Sequence, residues 1–136
     1  MTSPHLKLAL LEGRLAVCRL EPGAAIPGWA WGDGAFVAVT RTRSELSIVC
    51  TEAQVPEGIA REGGWRILEV EGPLDFALTG ILAALAGPLA KAGISLFAVS
   101  TFDTDYVMVK EERLEAAVAA LAEAGHRIAP PGPVHS

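Results

Sequence analysis

Apolar and polar positions change period several times along this chain, and each change marks an element. In "WRILEVEG" (65–72), Glu69 and Glu71 alternate with Leu68 and Val70, which predicts a strand broken by Gly72-Pro73. From Leu74 to Lys91 the period lengthens. Leu78, Ile81, Leu82, Leu85 and Leu89 fall on one helical stripe, and Pro88 is expected to kink or end that helix. "ISLFAVS" (94–100) and "DYVMVK" (105–110) read as two strands. "EERLEAAVAALAEAG" (111–125) reads as a second helix, with Leu114, Ala117, Val118 and Leu121 on its apolar face. Glu111 and Glu112 suit its positive N-terminal end, and Gly125 suits its stop. "HRIA" (126–129) is a last short strand, and "PPGPVHS" (130–136) is expected to be a disordered tail.

The order β-α-β-β-α-β is the split βαβ arrangement of the ferredoxin-like α+β fold. A weaker copy precedes it. "FVAVTRTRSELSIVCTE" (36–52) lies without a gap over "LFAVSTFDTDYVMVKEE" (96–112), 60 positions later, so that Ala38 meets Ala98 and Glu45 meets Asp105. A second echo, "EGGWRI" and "EAGHRI", supports a duplication. The first copy is degenerate. "EPGAAIPGWAWGDG" stands where its first helix belongs, and "VPEGIAREGG" leaves room for about two turns of its second. Trp29, Trp31 and Trp65 are expected to fill the volume the short helices leave, and "LKLALL" (6–11) to complete a sheet edge. Residues 1–63 and 64–129 are thus read as two ferredoxin-like modules packed as one unit, since the first cannot bury a sheet face alone.

Composition narrows the function more than the fold. Half the 136 residues are apolar (51%) and only 20% are charged, as in a folded globular protein. A net charge of −5 gives no reason to bind nucleic acid. The longest apolar run is broken at Gly87-Pro88 and Lys91-Ala92-Gly93, so it does not read as a membrane span, and the N-terminus does not read as a signal peptide. Cys18 and Cys50, without a CxxC, read as buried thiols in a reducing cytoplasm; the three histidines are too scattered for a metal site. There is no nucleophile–base motif, P-loop, dinucleotide loop or HExxH, and hence no expected catalytic residue or cofactor.

One stretch stands apart. "STFDTD" (100–105) gathers hydroxyls and carboxylates around an aromatic ring between two apolar strands. Together with the upstream "LTGI", and within "EGPLDFALTGILAALAGPLAKAGISLFAVSTFDTDYVMVKEE", it resembles the second module of the tandem ACT-domain proteins. These are related to the regulatory regions of aspartate kinases and to the CASTOR-type arginine sensors. The resemblance is strong over residues 64–128 and weaker before them. It implies a regulatory, allosteric module without catalysis that binds an amino acid where the loop after the first strand, the start of the first helix and the hairpin tip converge. Carried over position by position, the implied contacts are Gly72, Asp75, Thr79, Gly80 and Ile81 from the first segment. Ser100, Thr101, Phe102, Asp103 and Asp105 come from the second.

The chemistry suits that implication. A helix N-terminus offers free N–H groups to an α-carboxylate, and Asp75, Asp103 or Asp105 can accept from an α-ammonium. Gly80 permits close backbone approach, and Phe102 can cover an aliphatic stem. The same residues have plainer readings: Asp and Thr are common turn formers, Asp75 suits a helix cap, and Thr79-Gly80 suits a helix contact. The first copy carries Arg41, Arg43 and Glu45 where the alignment sets Thr101, Asp103 and Asp105, so its role is expected to differ. The expectation is a cytoplasmic amino-acid-binding regulator, a homodimer acting through some unidentified protein target. The alternative is a dimerisation module with a vestigial ligand site.

Overall fold

The computed structural model of the chain describes residues 5–32, 34, 36–71 and 80–130. In chain order the strands are β1 (Lys7–Leu10), β2 (Leu15–Leu20), β3 (Ala38–Arg41), β4 (Leu46–Thr51), β5 (Ala60–Val70), β6 (Phe97–Ser100), β7 (Asp105–Lys110) and β8 (Arg127–Ala129). The helices are α1 (Ile81–Lys91), between β5 and β6, and α2 (Leu114–Glu123), between β7 and β8. Two compact units result: Gly13–Trp65, and Met1–Glu12 together with Arg66–Ser136. The architecture is α+β and ferredoxin-like, as the hydrophobic periods predict.

In the Gly13–Trp65 unit the strands lie antiparallel in the order β3-β4-β2-β5. Alternation sends Ala16 and Cys18 of β2 and Leu46, Ile48 and Cys50 of β4 to one buried face, with Ala30 and Val55 over them. Both cysteines are free thiols. No α-helix covers this face among the described residues; the loops do so with 3-10 turns at Gly28–Ala30 and Glu52–Gln54. Arginines hold the backbone groups that a helix would satisfy internally. The Arg41 guanidinium donates to the carbonyls of Pro22 and Ala24, and that of Arg61 to those of Val55, Pro56 and Ile59.

Two expectations fail here. The two helical turns read into "VPEGIAREGG" are absent, because Pro56 and Gly58 stop any helix and Ala60 already opens β5. Gly63 and Gly64 make a bulge opposite Ala16, where the register shifts between Leu15 and Val17, and Glu52 Oε1 accepts the Gly64 N–H at 2.6 Å. Trp31 does not fill the core either: Trp65 is buried and Trp29 packs on the core, whereas Trp31 is 54% exposed. The inward position of that turn belongs to Ala30.

In the other unit, β6 pairs β7, β7 pairs β5, β5 pairs β1 and β1 pairs β8. The first strand therefore does not complete an edge. It lies inside the sheet, antiparallel to β5 through Leu8↔Val70 and parallel to β8 through Leu8↔Ile128. The apolar doublet Leu8 and Leu10 explains the placement, since both join the buried core under α1 and α2 with Leu68, Val70, Val107 and Val109.

Of the helix expected over 74–91, residues 72–79 lie outside the described residues, as do 131–136 of the tail. From Ile81 onward the helix is present; Ile81, Ala84, Leu85 and Leu89 are buried and Leu82 faces out. Pro88 does not end it. Proline cannot donate to the carbonyl four residues back, and the Ala84 oxygen so orphaned is taken by the buried His126 Nε2 at 2.9 Å. The other ring nitrogen, Nδ1, accepts the Leu6 N–H at 3.1 Å, so one imidazole ties α1 to β1 and β8. Both helices end as glycine C-caps: Gly93 and Gly125 have φ of 73° and 99°, and the next residue's N–H reaches back to Leu89 and Leu121.

The two hairpins expected from the internal repeat are both present, but not at the expected alignment. β3–β4 pairs Arg41 with Leu46 and β6–β7 pairs Ser100 with Asp105, so the hairpins correspond at an offset of 59, not 60. Thr42 N–H to Glu45 O is then the counterpart of Thr101 N–H to Thr104 O, and each threonine hydroxyl donates to the same carbonyl. The 3-10 turns that follow begin at Glu52 and Glu111. The 60-residue alignment is overturned by these registers. Its identities are Ala38/Ala98, Val39/Val99, Val49/Val109 and Glu52/Glu112, of which only the last also holds at an offset of 59, and a slip of one puts every strand residue on the wrong face.

Candidate functional site

The β6–β7 tip is a two-residue turn, Phe102-Asp103, closed by Thr101 and Thr104. Thr101 N–H donates to Thr104 O at 2.8 Å, and the Thr101 hydroxyl donates to the same oxygen at 3.1 Å. Neither turn residue has a positive φ, so the side chains rather than a glycine-type turn fix the bend. Thr104 is the anchor. Its buried hydroxyl donates to Val70 O at 2.7 Å, fastening the tip to the end of β5.

That bond fixes which groups face which way. Val107 and Val109 point into the core below the helices, so Asp105, two residues earlier, points to the helix side, as does its partner Ser100. Asp105 is half-buried at the start of β7. On the opposite sheet face, Tyr106 donates its O–H to Glu69 Oε2 at 2.8 Å. Burial, the Glu69 bond and the charges of Glu69 and Asp103 push the Tyr106 phenol up to about 12.

The helix layer begins at Gly80, whose φ of 80° lies in the left-handed region and which has no side chain with which to cap the first turn. The first N–H to bond within the helix is that of Ala84, to Gly80 O at 2.8 Å. Ile81 is buried in the same core cluster as Val70 and Val107. The α1 start and Asp105 therefore occupy the same side of one sheet.

Of the ten positions expected in the site, Gly72, Asp75 and Thr79 lie outside the described residues. Gly80 and Ile81 open α1. Ser100, Thr101, Phe102 and Asp103 are exposed at the hairpin end, Phe102 to 80%, and Asp105 sits between strand and helix layer. The structure brings Ser100 and Asp105 directly together. Sequence reasoning passed over Thr104, Glu69 and Tyr106. Period two sets Glu69 and Tyr106 on the face opposite the helices, a signal that was available; nothing in the sequence marks Thr104 as the buried hydroxyl. Among the described residues no group of three or more His, Cys, Asp or Glu side chains can hold a metal ion, and no helix is long and apolar enough to cross a membrane.

Residues 60–123 match the ACT domain family, and residues 13–58 match a separate N-terminal domain family. The chain is 34% identical over 95 residues to the cytosolic arginine sensor for mTORC1 subunit 1 of Bos taurus, a match covering 64% of this chain and 29% of that protein. The matched stretch is thus less than a third of that much longer relative. The crystal structure of protein Atu0741 from Agobacterium tumefaciens has 40% sequence identity and a TM-score of 0.91, covering 98% of this chain and 99% of that one. The regulatory subunit of aspartate kinase from Thermus thermophilus shares the fold at 12% identity, with a TM-score of 0.60 over 85% of this chain and 93% of its own.

Proposed function

The chain belongs to the ACT-domain family, among the relatives of aspartate kinase regulatory regions and arginine sensors, and on that premise we propose that it binds a free amino acid as a non-catalytic, allosteric regulator. The ligand lies at the end of the sheet formed by β5, β7 and β6. Its α-carboxylate meets the uncapped first turn of α1, and its α-ammonium meets Asp105. Phe102 covers the ligand's stem; Gly72, Asp75 and Thr79, which lie outside the described residues, are the further contacts expected from the sequence. The protein acts in the cytoplasm as a homodimer and passes its signal to another protein.

One observation carries this reading. The counterpart of Asp105 in the first hairpin is Leu46, which is fully buried. The position that is core in one unit holds a half-buried carboxylate in the other, on the side of the sheet where α1 begins uncapped at Gly80. A carboxylate half-removed from water gains most from a charged partner.

Thermal melting in the presence of each of the twenty amino acids tests the proposal. A ligand that binds only the folded state raises the melting temperature, and titration calorimetry then gives its affinity. Asp105→Asn keeps the shape and removes the charge, and is expected to weaken binding by about ten- to a hundredfold, or ~1.5–3 kcal/mol. No shift with any amino acid would favour the dimerisation module with a vestigial site. Equal affinities for wild type and Asp105→Asn would move the cation pole to Asp75 or Asp103.

A further inference from the structure

Among the described residues the buried polar side chains are Thr104 and His126, and of these only the imidazole can change its charge near neutral pH. His126 is 5% exposed, and both of its ring nitrogens are committed to backbone. Nδ1 accepts the Leu6 N–H at 3.1 Å, and Nε2 donates to Ala84 O at 2.9 Å. The neutral ring with its proton on Nε2 makes both bonds. A second proton has to go to Nδ1, where it meets the Leu6 N–H donor against donor, at a site withdrawn from solvent.

The surroundings give such a charge no partner. The charged residues on the elements packed around the ring are Lys7 of β1, Lys91 of α1, Glu115 and Glu123 of α2, and Arg127 of β8. All five are exposed, and among the described residues none pairs with the imidazole. The titratable group nearest in kind is His5, whose ring stands edge-on to His126 with centroids 6.5 Å apart. It lies over Gly125, where an added Cβ would be 2.8 Å from its Nε2. A proton on His5 therefore adds a like charge beside the buried ring.

The two bonds join parts that nothing else ties in the same way. Leu6 leads into β1, and Ala84 lies in the first turn of α1, where Pro88 leaves its carbonyl without a helical donor. We propose that His126 is a proton-operated latch: neutral, it fastens the first turn of α1 to the chain entering β1, and protonated, it releases both. The latch goes beyond the amino-acid reading and does not depend on it, although the turn it holds is the one to which that reading brings the ligand's carboxylate. The fold requires the neutral ring, whereas the unfolded chain admits the charged one below histidine's ordinary value of about 6.5. The unfolded state then binds one more proton, so stability that is fully present above that value is lost as pH falls.

Denaturant unfolding of the full chain without ligand, from about pH 7.5 to about pH 5, tests this. The unfolding constant is expected to rise by up to about tenfold for each pH unit below about 6.5, with the Leu6 amide losing hydrogen-exchange protection over the same range. His126→Gln keeps an acceptor and a donor that do not titrate and is expected to flatten the dependence, whereas His5→Gln should leave most of it. If the wild-type slope survives His126→Gln, or disappears with His5→Gln instead, the latch is overturned. Nitrogen NMR of the wild-type histidine rings decides the matter even where His126→Gln fails to fold. A bare Nδ1 on His126 that gains its proton only as Leu6 loses protection supports the latch. A His126 ring that takes up its second proton while Leu6 stays protected overturns it.

Discussion

The β3–β4 and β6–β7 tips are built alike and used differently. Each is closed by a threonine whose backbone N–H and hydroxyl both reach the carbonyl three residues on, and each leads through a six-residue strand into a 3-10 turn begun by glutamate. Between those shared features the side chains diverge: Arg43-Ser44 against Phe102-Asp103 at the turn, Leu46 against Asp105 at the strand start, Ser47 against Tyr106 one step further. The backbone plan is set by the closing threonine and the period-two burial of the strand. The first strand residue is where one unit buries an apolar side chain and the other half-buries a carboxylate. Such a position can change its chemistry because the hydrogen-bonded frame does not depend on it.

The sharpest way to break this comparison is to exchange the two residues. Leu46→Asp sets an unpaired carboxylate in a fully buried position and is expected to cost more than about 4 kcal/mol, enough to unfold the Gly13–Trp65 unit. Asp105→Leu should change folding stability by less than about 1 kcal/mol while abolishing the amino-acid response. Denaturant unfolding of both variants checks it. Equal, small losses would mean that the two positions are equivalent and that Asp105 has no special role.

The units differ again in what covers their sheets, and His126 is where that difference can be probed. The second unit keeps a helix containing Pro88 because the imidazole accepts the Leu6 N–H and donates to Ala84 O. His126→Leu strands both groups and is expected to cost about 2–4 kcal/mol. Pro88→Ala restores a helical N–H for Ala84 O. In the His126→Leu background it should recover about 1 kcal/mol more than it gives alone, measured as a double-mutant cycle in denaturant. Strict additivity would show that the proline and the histidine are not coupled.

These residues also show what could be read from the chain alone. The helices, the strands flanking them and the fold class follow from hydrophobic period, because each face is either buried or not. The placement of β1 did not follow: "LKLALL" suits an edge and an interior equally, and only pairing partners far along the chain decide between them. The hairpin offset was missed by one because three Ala and Val identities favour 60, whereas the threonine-to-carbonyl bonds, which fix 59, leave only Thr42/Thr101 and Glu52/Glu111 as a trace in the sequence. In the site, the chemical types at 100–105 were legible. The division of labour was not: Thr104 as anchor, Asp105 facing the helix layer and Phe102 on the outside follow from the register, which no short motif encodes.

A smaller effect separates the hairpins at their anchor. Thr104→Val removes the hydroxyl that satisfies Val70 O and should cost about 1–2 kcal/mol, since a buried acceptor is left unpaired. The corresponding residue of the first hairpin is Glu45, half-buried at the surface, and Glu45→Gln should change stability by less than about 0.5 kcal/mol. Matching losses at the two sites would mean that both tips are held in the same way and that the β5 anchor adds nothing.

The smallest expected effect is the cleanest to read. Tyr106 is the chain's only tyrosine, so the ultraviolet absorbance of tyrosinate reports one group. Its counterpart Ser47 has no acid to titrate. Burial and the Glu69 carboxylate favour the protonated phenol, raising it from 10.0 to about 12. A group raised in the fold contributes stability that is fully present below its unfolded value and lost as pH climbs through its folded one. Alkaline unfolding should therefore include a component between pH 10.0 and about 12 that Tyr106→Phe removes. Glu69→Gln keeps an acceptor for the phenol but withdraws the charge, so the absorbance midpoint should fall toward 10.0, with burial alone holding it above. A wild-type midpoint already at 10.0, or one unmoved by Glu69→Gln, would show that the Glu69 carboxylate does not act on the phenol. The contrast with Ser47 would then be one of size alone.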